Sequence, residues 1–562
     1  MTYRRLLAAA VLFTAACSTA PAGQFPLANL PDINTDAALA DIRKLSSDEF
    51  EGRGPGTRGE QLSVQYITDQ FKTAGLEPGN PDGTWTQKVP LVGINPYNFT
   101  PLVVKKGGAS QMFKQRDEVI AFSKHVTDTV DLKNSEVVFV GYGVQAPEFT
   151  WDDYKGLDVK GKTLIMLVND PPVPDPNNPA ELDPKTFGGK AMTYYGRWTY
   201  KYEMAAKMGA AACFIVHETD RAGYPWTVVQ GFGGERFDLV TPDKNMSRAA
   251  VEGWLSLDAA TKLLKMAGQD YAALKAKAAT RDFKPVPLGM TASVSFAQKM
   301  RTIDSQNVVG KLTGSDATLK NEYVVYSAHW DHLGIGDAKP SNPTDKIYNG
   351  AQDNASGVAG IIAIAREISK MKVRPKRSVL FLALTAEEQG LLGSQYYGTN
   401  PLYPLDKTLA DINVDDLKDM FGKTKDLIIV GLGASDLDDY IRDAAAEQGR
   451  VLVPDAEPEK GYYYRSDHFN FAKVGVPALD PEGGIDIIGK PAGYGKQKRD
   501  YYTANDYHSP SDEVKPDWDL SGYAENLRLL LAVGYRVANA DKYPEWKPGN
   551  EFKAIRDGMM KK

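Results

Sequence analysis

The chain has 562 residues, of which 42% are hydrophobic and 25% are charged, as is ordinary for a globular protein with a large buried core. Its length leaves room for about two to four domains. The formal net charge is −6 and no basic run occurs, which excludes nucleic acid as an expected partner, because such binding depends on clustered lysine and arginine.

Residues 1–17 have the pattern of a secretion signal. Two arginines precede the apolar run Leu6–Phe13, and small residues then lead to Cys17. This end of the segment resembles a bacterial lipobox, although Thr14 stands where leucine is usual. The apolar run is too short to span a bilayer. We therefore expect an exported protein that is periplasmic, tethered to the outer membrane through a lipid on Cys17, or secreted.

Residues 18–32 form a polar linker that leads into a helical segment, Asp36–Leu76. Apolar residues recur at helical spacing in its second half, which predicts packing helices. A glycine-rich stretch, residues 51–57, is expected to break the helical run.

Residues 134–285 change to short strand-like runs such as Glu136–Val140 and Thr163–Val168. We interpret this segment as an inserted β-rich domain, because it interrupts the part of the chain that carries the candidate site. It contains Cys213, the one cysteine that follows Cys17. A single thiol closes no intramolecular disulfide, so we expect Cys213 to be a small buried hydrophobe.

From Asn307 onward, strands and helices alternate, which predicts a mixed, largely parallel α/β sheet flanked by helices. The predicted strands are Asn307–Leu312, Tyr323–Ala328, Ser378–Thr385 and Leu409–Val414, and the predicted helices are Ser356–Met371 and Leu391–Tyr397. A last helix with one apolar face follows Asp519, which is suited to cap it.

Side chains that can bind metal ions occur where these strands end or helices begin. They are His329, Asp353, the adjacent Glu387 and Glu388, Asp415 and His508. Ligands of an open α/β sheet bind beyond the carboxyl ends of its strands, so we expect these side chains to converge. Burying two adjacent carboxylates at the end of a strand costs free energy unless each charge has a partner or a role. In a site that activates water with a metal ion, one carboxylate binds the cation and its neighbour accepts the proton of the water. The pattern therefore predicts a two-zinc hydrolase site.

Each motif also has a simpler interpretation. His329 and Asp331 could share one side of an extended segment by accident at the surface. Asp353 is equally suited to be the N-cap of a helix, the glutamate pair fits an exposed helix N-terminus, and His508 fits an exposed loop. All of these readings would have to hold at once for the metal site to be absent.

With these motifs, the chain resembles the co-catalytic di-zinc exopeptidases of clan MH. This family includes secreted bacterial aminopeptidases and, more distantly, glutamate carboxypeptidases and the transferrin receptor. Residues Leu45–Leu76 are similar to the N-terminal helices of the family, and Val137–Val216 resembles the protease-associated domain that is often inserted in its members. The resemblance implies the zinc-exopeptidase fold.

The resemblance also implies a role for each site residue. Asp353 would bridge two Zn²⁺ ions, His329 and Asp415 would hold one of them, and Glu388 and His508 would hold the other. Glu387 would be the general base, Asp331 would orient His329 through its second ring N–H, and Tyr507 would donate a hydrogen bond to the developing oxyanion.

Two positions depart from the family pattern. Gln352 stands where an acid is common before the bridging aspartate, and Asp416 stands where an apolar residue often follows the ligand. Neither departure removes a ligand, but Asp416 adds a charge that would act on metal affinity or substrate choice.

The resulting division of the chain has six parts. These are a signal peptide (1–17), a linker (18–32), the N-terminal part of a peptidase domain (33–133), an inserted protease-associated domain (134–285), the catalytic zinc-peptidase domain (286–545) and a C-terminal tail (546–562).

We expect a zinc-dependent exopeptidase, specifically an aminopeptidase that releases N-terminal residues from a peptide substrate. A glutamate carboxypeptidase-like hydrolase is an alternative and would need cations placed for a substrate carboxylate. A glutaminyl cyclase works with a single zinc, and a non-catalytic binding protein of this fold would have lost its metals, so the complete ligand set argues against both. The tyrosines and the arginine of Gly461–His468 either line the cleft or pack elsewhere, and oligomeric state is not predicted.

Overall fold

The computed structural model describes residues 25–230, 235–339 and 343–561. The predicted signal peptide and Cys17 lie outside these residues. The fold is mixed α/β with a large, mostly parallel sheet and flanking helices, as predicted. Within the described ranges, no helix combines the length and apolar character needed to cross a membrane.

The α-helices are Thr35–Leu45, Arg58–Thr73, Trp198–Lys207, Thr219–Ala222, Trp226–Gln230, Leu257–Ala267, Tyr271–Ala278, Ser356–Ser369, Leu392–Thr399, Leu437–Glu447, His468–Lys473, Tyr494–Asn505, Ser521–Asn539 and Lys553–Met560. The longer strands are Thr86–Tyr97, Leu102–Lys106, Ala109–Phe113, Val119–Phe122, Thr129–Phe139, Thr163–Leu167, Ala212–His217, Arg236–Leu239, Val251–Ser256, Val286–Leu312, Tyr323–His329, Ser378–Leu384, Thr408–Asn413, Asp426–Val430, Val451–Pro454 and Ala478–Gly483. Two-residue strands are Glu77–Pro78, Gln145–Ala146, Trp151–Asp152, Gly334–Ile335 and Ile347–Tyr348.

Three parallel strands carry the candidate site at their carboxyl ends. Tyr323–His329 lies between Ser378–Leu384 and Thr408–Asn413, and all three are buried along their whole length. The register pairs His329 with Leu384. The residues that follow the three strands therefore leave the sheet at the same edge.

Small residues allow the helix Ser356–Ser369 to start against this edge. A Cβ on Gly357 would overlap the carbonyl oxygen of Val414 and the side chain of Asn354, so only glycine fits there. The other face of the helix joins the main hydrophobic core, which also buries the helix Ser521–Asn539. That helix starts two residues after Asp519, whose Oδ1 accepts the Ser521 N–H at 3.0 Å.

A second hydrophobic core lies in the N-terminal half of the chain. Its central strand, Ala212–His217, is parallel to both of its neighbours, and Cys213 is fully buried in it, as expected. The residues of this second core run from Leu102 to Phe296. It therefore includes three strands that precede the predicted domain boundary at residue 134, and the boundaries themselves stay a prediction.

The strand Val286–Leu312 connects the two cores. Its first part pairs with Thr129–Phe139 of the second core, and its last five residues pair with Ser378–Leu384 of the site-bearing sheet. Thr86–Tyr97 pairs with it over twelve residues in between. The two halves of the molecule thus share one continuous strand.

Candidate metal centre

The five predicted metal ligands converge at the edge of the sheet. Nε2 of His329 lies 3.2 Å from Oδ1 of Asp353 and 3.2 Å from Oδ1 of Asp415. Nε2 of His508 lies 3.2 Å from Oδ2 of Asp353 and 3.0 Å from Oε2 of Glu388. Asp353 therefore presents one carboxylate oxygen to each pair, which is the arrangement of a bridging ligand.

Asp353 is held in a buried turn ahead of the helix Ser356–Ser369. The backbone N–H groups of Gln352 and Asp353 donate to the two carboxylate oxygens of Asp512, at 3.0 and 3.1 Å. The Asp353–Asn354 peptide bond is cis. The interpretation of Asp353 as an N-cap is wrong, because the helix starts at Ser356 and the N–H of Gly357 in its first turn donates to Oδ1 of Asn354 instead.

Glu387 and Glu388 occupy a tight turn after the strand Ser378–Leu384. Their side chains are only 11% and 4% exposed, and the next helix begins at Leu392, so they do not form an exposed helix N-terminus. Glu388 faces His508, whereas Oε2 of Glu387 lies 3.9 Å from Nε2 of His329. The two carboxylates thus point to different partners.

Asp331 acts differently from the expectation. Nδ1 of His329 lies 3.1 Å from the backbone oxygen of Asp331, while the carboxylate is 3.8 Å away. The carboxylate instead accepts the backbone N–H groups of Glu387 and Glu388, at 3.0 and 3.4 Å. Asp331 therefore orients the histidine through its main chain and shapes the glutamate turn through its side chain.

His332 is a site residue to which the sequence assigned no role. Its side chain is fully buried, and its Nδ1 lies 2.7 Å from Oε1 of Glu388. Within the described parts of the chain, neither ring nitrogen has a hydrogen-bond partner of good geometry, nor has that glutamate oxygen. His332, Asp353 and Glu388 form one group of potential ligand atoms within 4.8 Å of one another, and His329, Asp353 and Asp415 form a second.

Arg53 is a second residue that the sequence did not single out. It lies in the stretch where the first helical segment breaks, and its side chain is completely buried. Its guanidinium donates to the backbone oxygens of Trp330, Asn349 and Gly350, at 2.5–2.8 Å. Arg53 therefore ties the loop after His329 to the loop before Asp353.

Gln352 and Asp416, the two residues that depart from the family pattern, contact each other. Nε2 of Gln352 donates to Oδ1 of Asp416 at 2.7 Å. Burial raises the pKa of Asp416 to about 8, and the neighbouring Asp353 and Asp415 add to the shift. The extra acid consequently carries less negative charge near neutral pH than its sequence position indicates.

The concentration of acids makes the site electrostatically strained without a cation. Burial raises the pKa of Glu387 well above its ordinary value, and Asp415 and Glu388 raise it further. Burial also raises the pKa of Asp331 to about 8. Burial works in the same direction on Asp353, but hydrogen bonds from His329 and His508 outweigh it and hold the pKa well below the usual range.

The donor set fits zinc. Imidazole nitrogens and carboxylate oxygens are the ligands that Zn²⁺ accepts, and their spacing allows two groups that share Asp353. The partnerless nitrogens of His332 and the oxygen of Glu388 are further donor atoms that face this centre. A divalent cation would also relieve the repulsion among the buried carboxylates.

A cavity of about 490 Å³ leads from this centre toward the second core. Glu387, Glu388, Tyr507 and His508 line its inner end. The Tyr507 ring stacks on that of His508, with 3.9 Å between the ring centroids. Of the segment 461–468, Tyr464 and Arg465 line the cavity, whereas Tyr463 packs on His468.

Comparisons with known proteins agree with this site. Residues 307–532 match the family described as Peptidase family M28. Aminopeptidase NAALADL1 of Mus musculus is 33% identical over 134 residues, which are 23% of this chain and 16% of that protein. A probable leucine aminopeptidase 2 of Arthroderma benhamiae is 29% identical over 223 residues, 37% of this chain and 40% of that protein.

The chain also matches solved structures over most of its length. The aminopeptidase from Aneurinibacillus sp. strain AM-1 has a TM-score of 0.48 at 20% identity, covering 92% of this chain and 97% of that one. The chain spans only 16% of the length of the first curated relatives that it matches. The segment that matches Peptidase family M28, residues 307–532, contains every predicted metal ligand.

Proposed function

We propose that the chain is a zinc-dependent aminopeptidase that hydrolyses the first peptide bond of a peptide substrate. The observation that supports this proposal is that the five predicted metal ligands converge beside Glu387, a buried glutamate that is not itself a predicted ligand. The names of the relatives, which are aminopeptidases and zinc metalloproteases, favour hydrolysis from the amino end.

The proposed centre would hold two Zn²⁺ ions. His329 and Asp415 would hold one ion, Glu388 and His508 would hold the other, and Asp353 would hold both. When bound, the ions would lower the pKa of a water molecule and polarise the carbonyl of the scissile bond.

Glu387 is the proposed general base. Its carboxylate is largely buried and faces the centre without taking a ligand position. It would accept the proton of the attacking water and then deliver it to the leaving amine, so one side chain serves both proton transfers. Tyr507, at the inner end of the cavity, would donate its hydroxyl hydrogen to the oxygen of the scissile carbonyl.

We also propose that the protein is exported and carries a lipid on Cys17. The support is the pattern of residues 1–17. Labelling with a radioactive fatty acid tests the anchor: label in the natural chain and none in Cys17→Ser is the expected result, and an unlabelled natural chain would contradict it.

The function is tested with matched peptides on the purified, zinc-loaded chain. Peptides with a free amino group should be hydrolysed one residue at a time from the amino end, and the same peptides with an acetylated amino group should be stable. Release of the last residue from the blocked peptides would contradict the aminopeptidase and favour the carboxypeptidase. Absence of hydrolysis and of zinc together would favour the binding protein.

A further inference from the structure

Two arginines, Arg197 and Arg465, line the cavity that leads to the metal centre. Arg465 belongs to the part of the chain that carries the metal centre. It directly precedes Ser466, whose hydroxyl donates to Oδ2 of Asp415 at 2.5 Å. Consecutive Cα atoms are about 3.8 Å apart, so Arg465 lies beside the metal centre. Arg197 directly precedes the helix Trp198–Lys207 of the second core and lines the same cavity.

Three other cations of the cavity have acidic partners. Lys473 lies 2.6 Å from Glu203, and Lys124 lies 3.1 Å from Asp238. Arg248 lies 3.7 Å from Asp238, so its charge is compensated as well. These side chains balance charges of the protein itself.

Arg197 and Arg465 have no acidic partner within the described residues. The Arg197 side chain makes no hydrogen bond there and lies over the Trp198 ring, 5.9 Å from its centroid. Arg465 donates one hydrogen bond, to the backbone oxygen of Lys460, and lies over the Tyr462 ring. The Nε atom of each arginine is buried without a hydrogen-bond partner.

The two guanidinium groups are close enough to repel each other. Burial lowers the pKa of Arg197 to about 10, and the charge of Arg465 lowers it further. Half-buried like charges without counterions are unfavourable, and a negatively charged ligand would offset that cost. A carboxylate suits this position because guanidinium groups bind it through two parallel hydrogen bonds.

We propose that Arg197 and Arg465 form a subsite for a carboxylate of the substrate, next to the scissile bond. The inference rests on the proposed peptidase function, since it names the substrate class of that site. The carboxylate has two possible sources, the C-terminal α-carboxylate of a short peptide and the side chain of an acidic residue.

Two pairs of substrates distinguish the sources in the zinc-loaded full chain. Leucyl-glycine is compared with leucyl-glycinamide, and leucyl-glutamic acid α-amide with leucyl-glutamine α-amide. The acid of at least one pair should have a kcat/KM at least about 10-fold above its neutral partner, as a charge-assisted hydrogen bond provides. Preference in the first pair identifies the α-carboxylate, and preference in the second identifies the side chain.

The preference should disappear in Arg197→Gln and in Arg465→Gln. Arg442→Gln is the control, because it removes one positive charge from an exposed position on the helix Leu437–Glu447. If one glutamine variant does not fold, the corresponding lysine variant is used. Lysine keeps the positive charge but lacks the planar guanidinium group, so the preference for the acid over the neutral substrate should be smaller. Equal rates for acid and neutral substrates, or a preference that survives both arginine substitutions, would overturn the proposal.

A binding measurement separates this inference from the proposed function. The full chain is stripped of metal, and calorimetry compares N-acetylglycine with N-acetylglycinamide. Tighter binding of the acid that depends on Arg197 and Arg465 supports the subsite even if no peptide is hydrolysed. Hydrolysis of all four peptides without preference, together with equal binding of acid and amide, overturns the subsite and leaves the peptidase intact.

Discussion

At the scale of single residues, Glu387 and Glu388 are neighbours in the chain with separate surroundings. Glu388 contacts His332 and His508 from opposite oxygens, whereas Glu387 makes no ligand contact shorter than 3.9 Å to a histidine of the centre. The turn that the Asp331 carboxylate holds is what separates them. These separate surroundings suit the two proposed roles, in which Glu388 binds a cation and Glu387 moves a proton.

Replacing Glu387 by glutamine should abolish most activity and leave the metals in place. The amide has the same shape but cannot accept the proton, so kcat should fall by about 10²–10⁴-fold. Zinc content, measured on the same protein sample, should equal that of the natural chain. Activity within a factor of a few, or loss of zinc, would contradict the role of Glu387 as base.

Replacing His332 by asparagine should weaken zinc binding. His332 meets Glu388 at 2.7 Å inside the centre, and the loss of such a partner typically costs 10–100-fold in metal affinity. Competition with a chelator measures the affinity. His125→Asn is the control. His125 is a buried histidine between the strands Val119–Phe122 and Thr129–Phe139, and its Nε2 lies 2.9 Å from a backbone oxygen. The zinc affinity of this variant should equal that of the natural chain.

Replacing Gln352 by leucine should destabilise the chain. The buried Asp416 would lose its amide donor, at a cost of about 1–3 kcal/mol. Gln65→Leu provides a matched control, because Gln65 donates to Asp69 at the same 2.7 Å on an exposed helix surface, where a change within about 0.5 kcal/mol is expected. The measurement is the denaturant concentration at the midpoint of unfolding for each variant and for the natural chain. Equal changes of the midpoint in the two variants would contradict the prediction.

The grouping of the candidate ligands could be predicted because all of them except His508, which lies in a loop, end or follow a buried strand or precede a helix. The role of His332 could not, since its contact with Glu388 depends on how two turns fold against each other. The spacing of His329 and Asp331 indicates that both side chains lie on the same side of the extended segment. It does not indicate how far the Asp331 carboxylate extends, so the contact of His329 with the Asp331 backbone oxygen could not be predicted.

At the scale of elements, the start of the helix Ser356–Ser369 sets the position of Asp353, the proposed bridging ligand. Gly357 lets the helix approach Val414, which follows the strand Thr408–Asn413 and directly precedes Asp415. Both edges of the centre therefore depend on this contact between helix and strand.

Gly357→Ala should move the helix away from the strand and damage the centre. Overpacking of this kind typically costs about 1–3 kcal/mol, and zinc affinity should fall with it. The control is Gly558→Ala, because no described atom lies within 4 Å of the added Cβ in that helix. Its stability should be unchanged or about 0.4–1 kcal/mol higher. Normal zinc affinity in Gly357→Ala would contradict the account.

Five of the six strands and helices predicted between Asn307 and Val414 match the observed bounds to within about two residues, whereas the predicted strand Asn307–Leu312 is only the end of a longer one. Ser378–Thr385 was expected and Ser378–Leu384 is observed, because fully apolar runs bounded by polar residues mark buried strands. The extent of the second core could not be predicted. Its early strands, such as Leu102–Lys106, alternate in burial, and Val286–Leu312 belongs to both halves at once.

At the scale of the whole molecule, the second core closes one side of the approach to the metal centre. The cavity joins residues of both halves, among them Arg197 and His508, which are distant in the sequence. No spacing rule predicts such a meeting. The candidate centre could thus be derived from motifs, whereas the substrate-binding surface depends on how the two halves pack.

The zinc content of the purified full chain tests the central claim most directly. After saturation with zinc and removal of the excess, elemental analysis should find two zinc ions per chain, because two groups of ligands share Asp353. One ion per chain, or none, would contradict the two-metal centre on which the proposed hydrolysis depends.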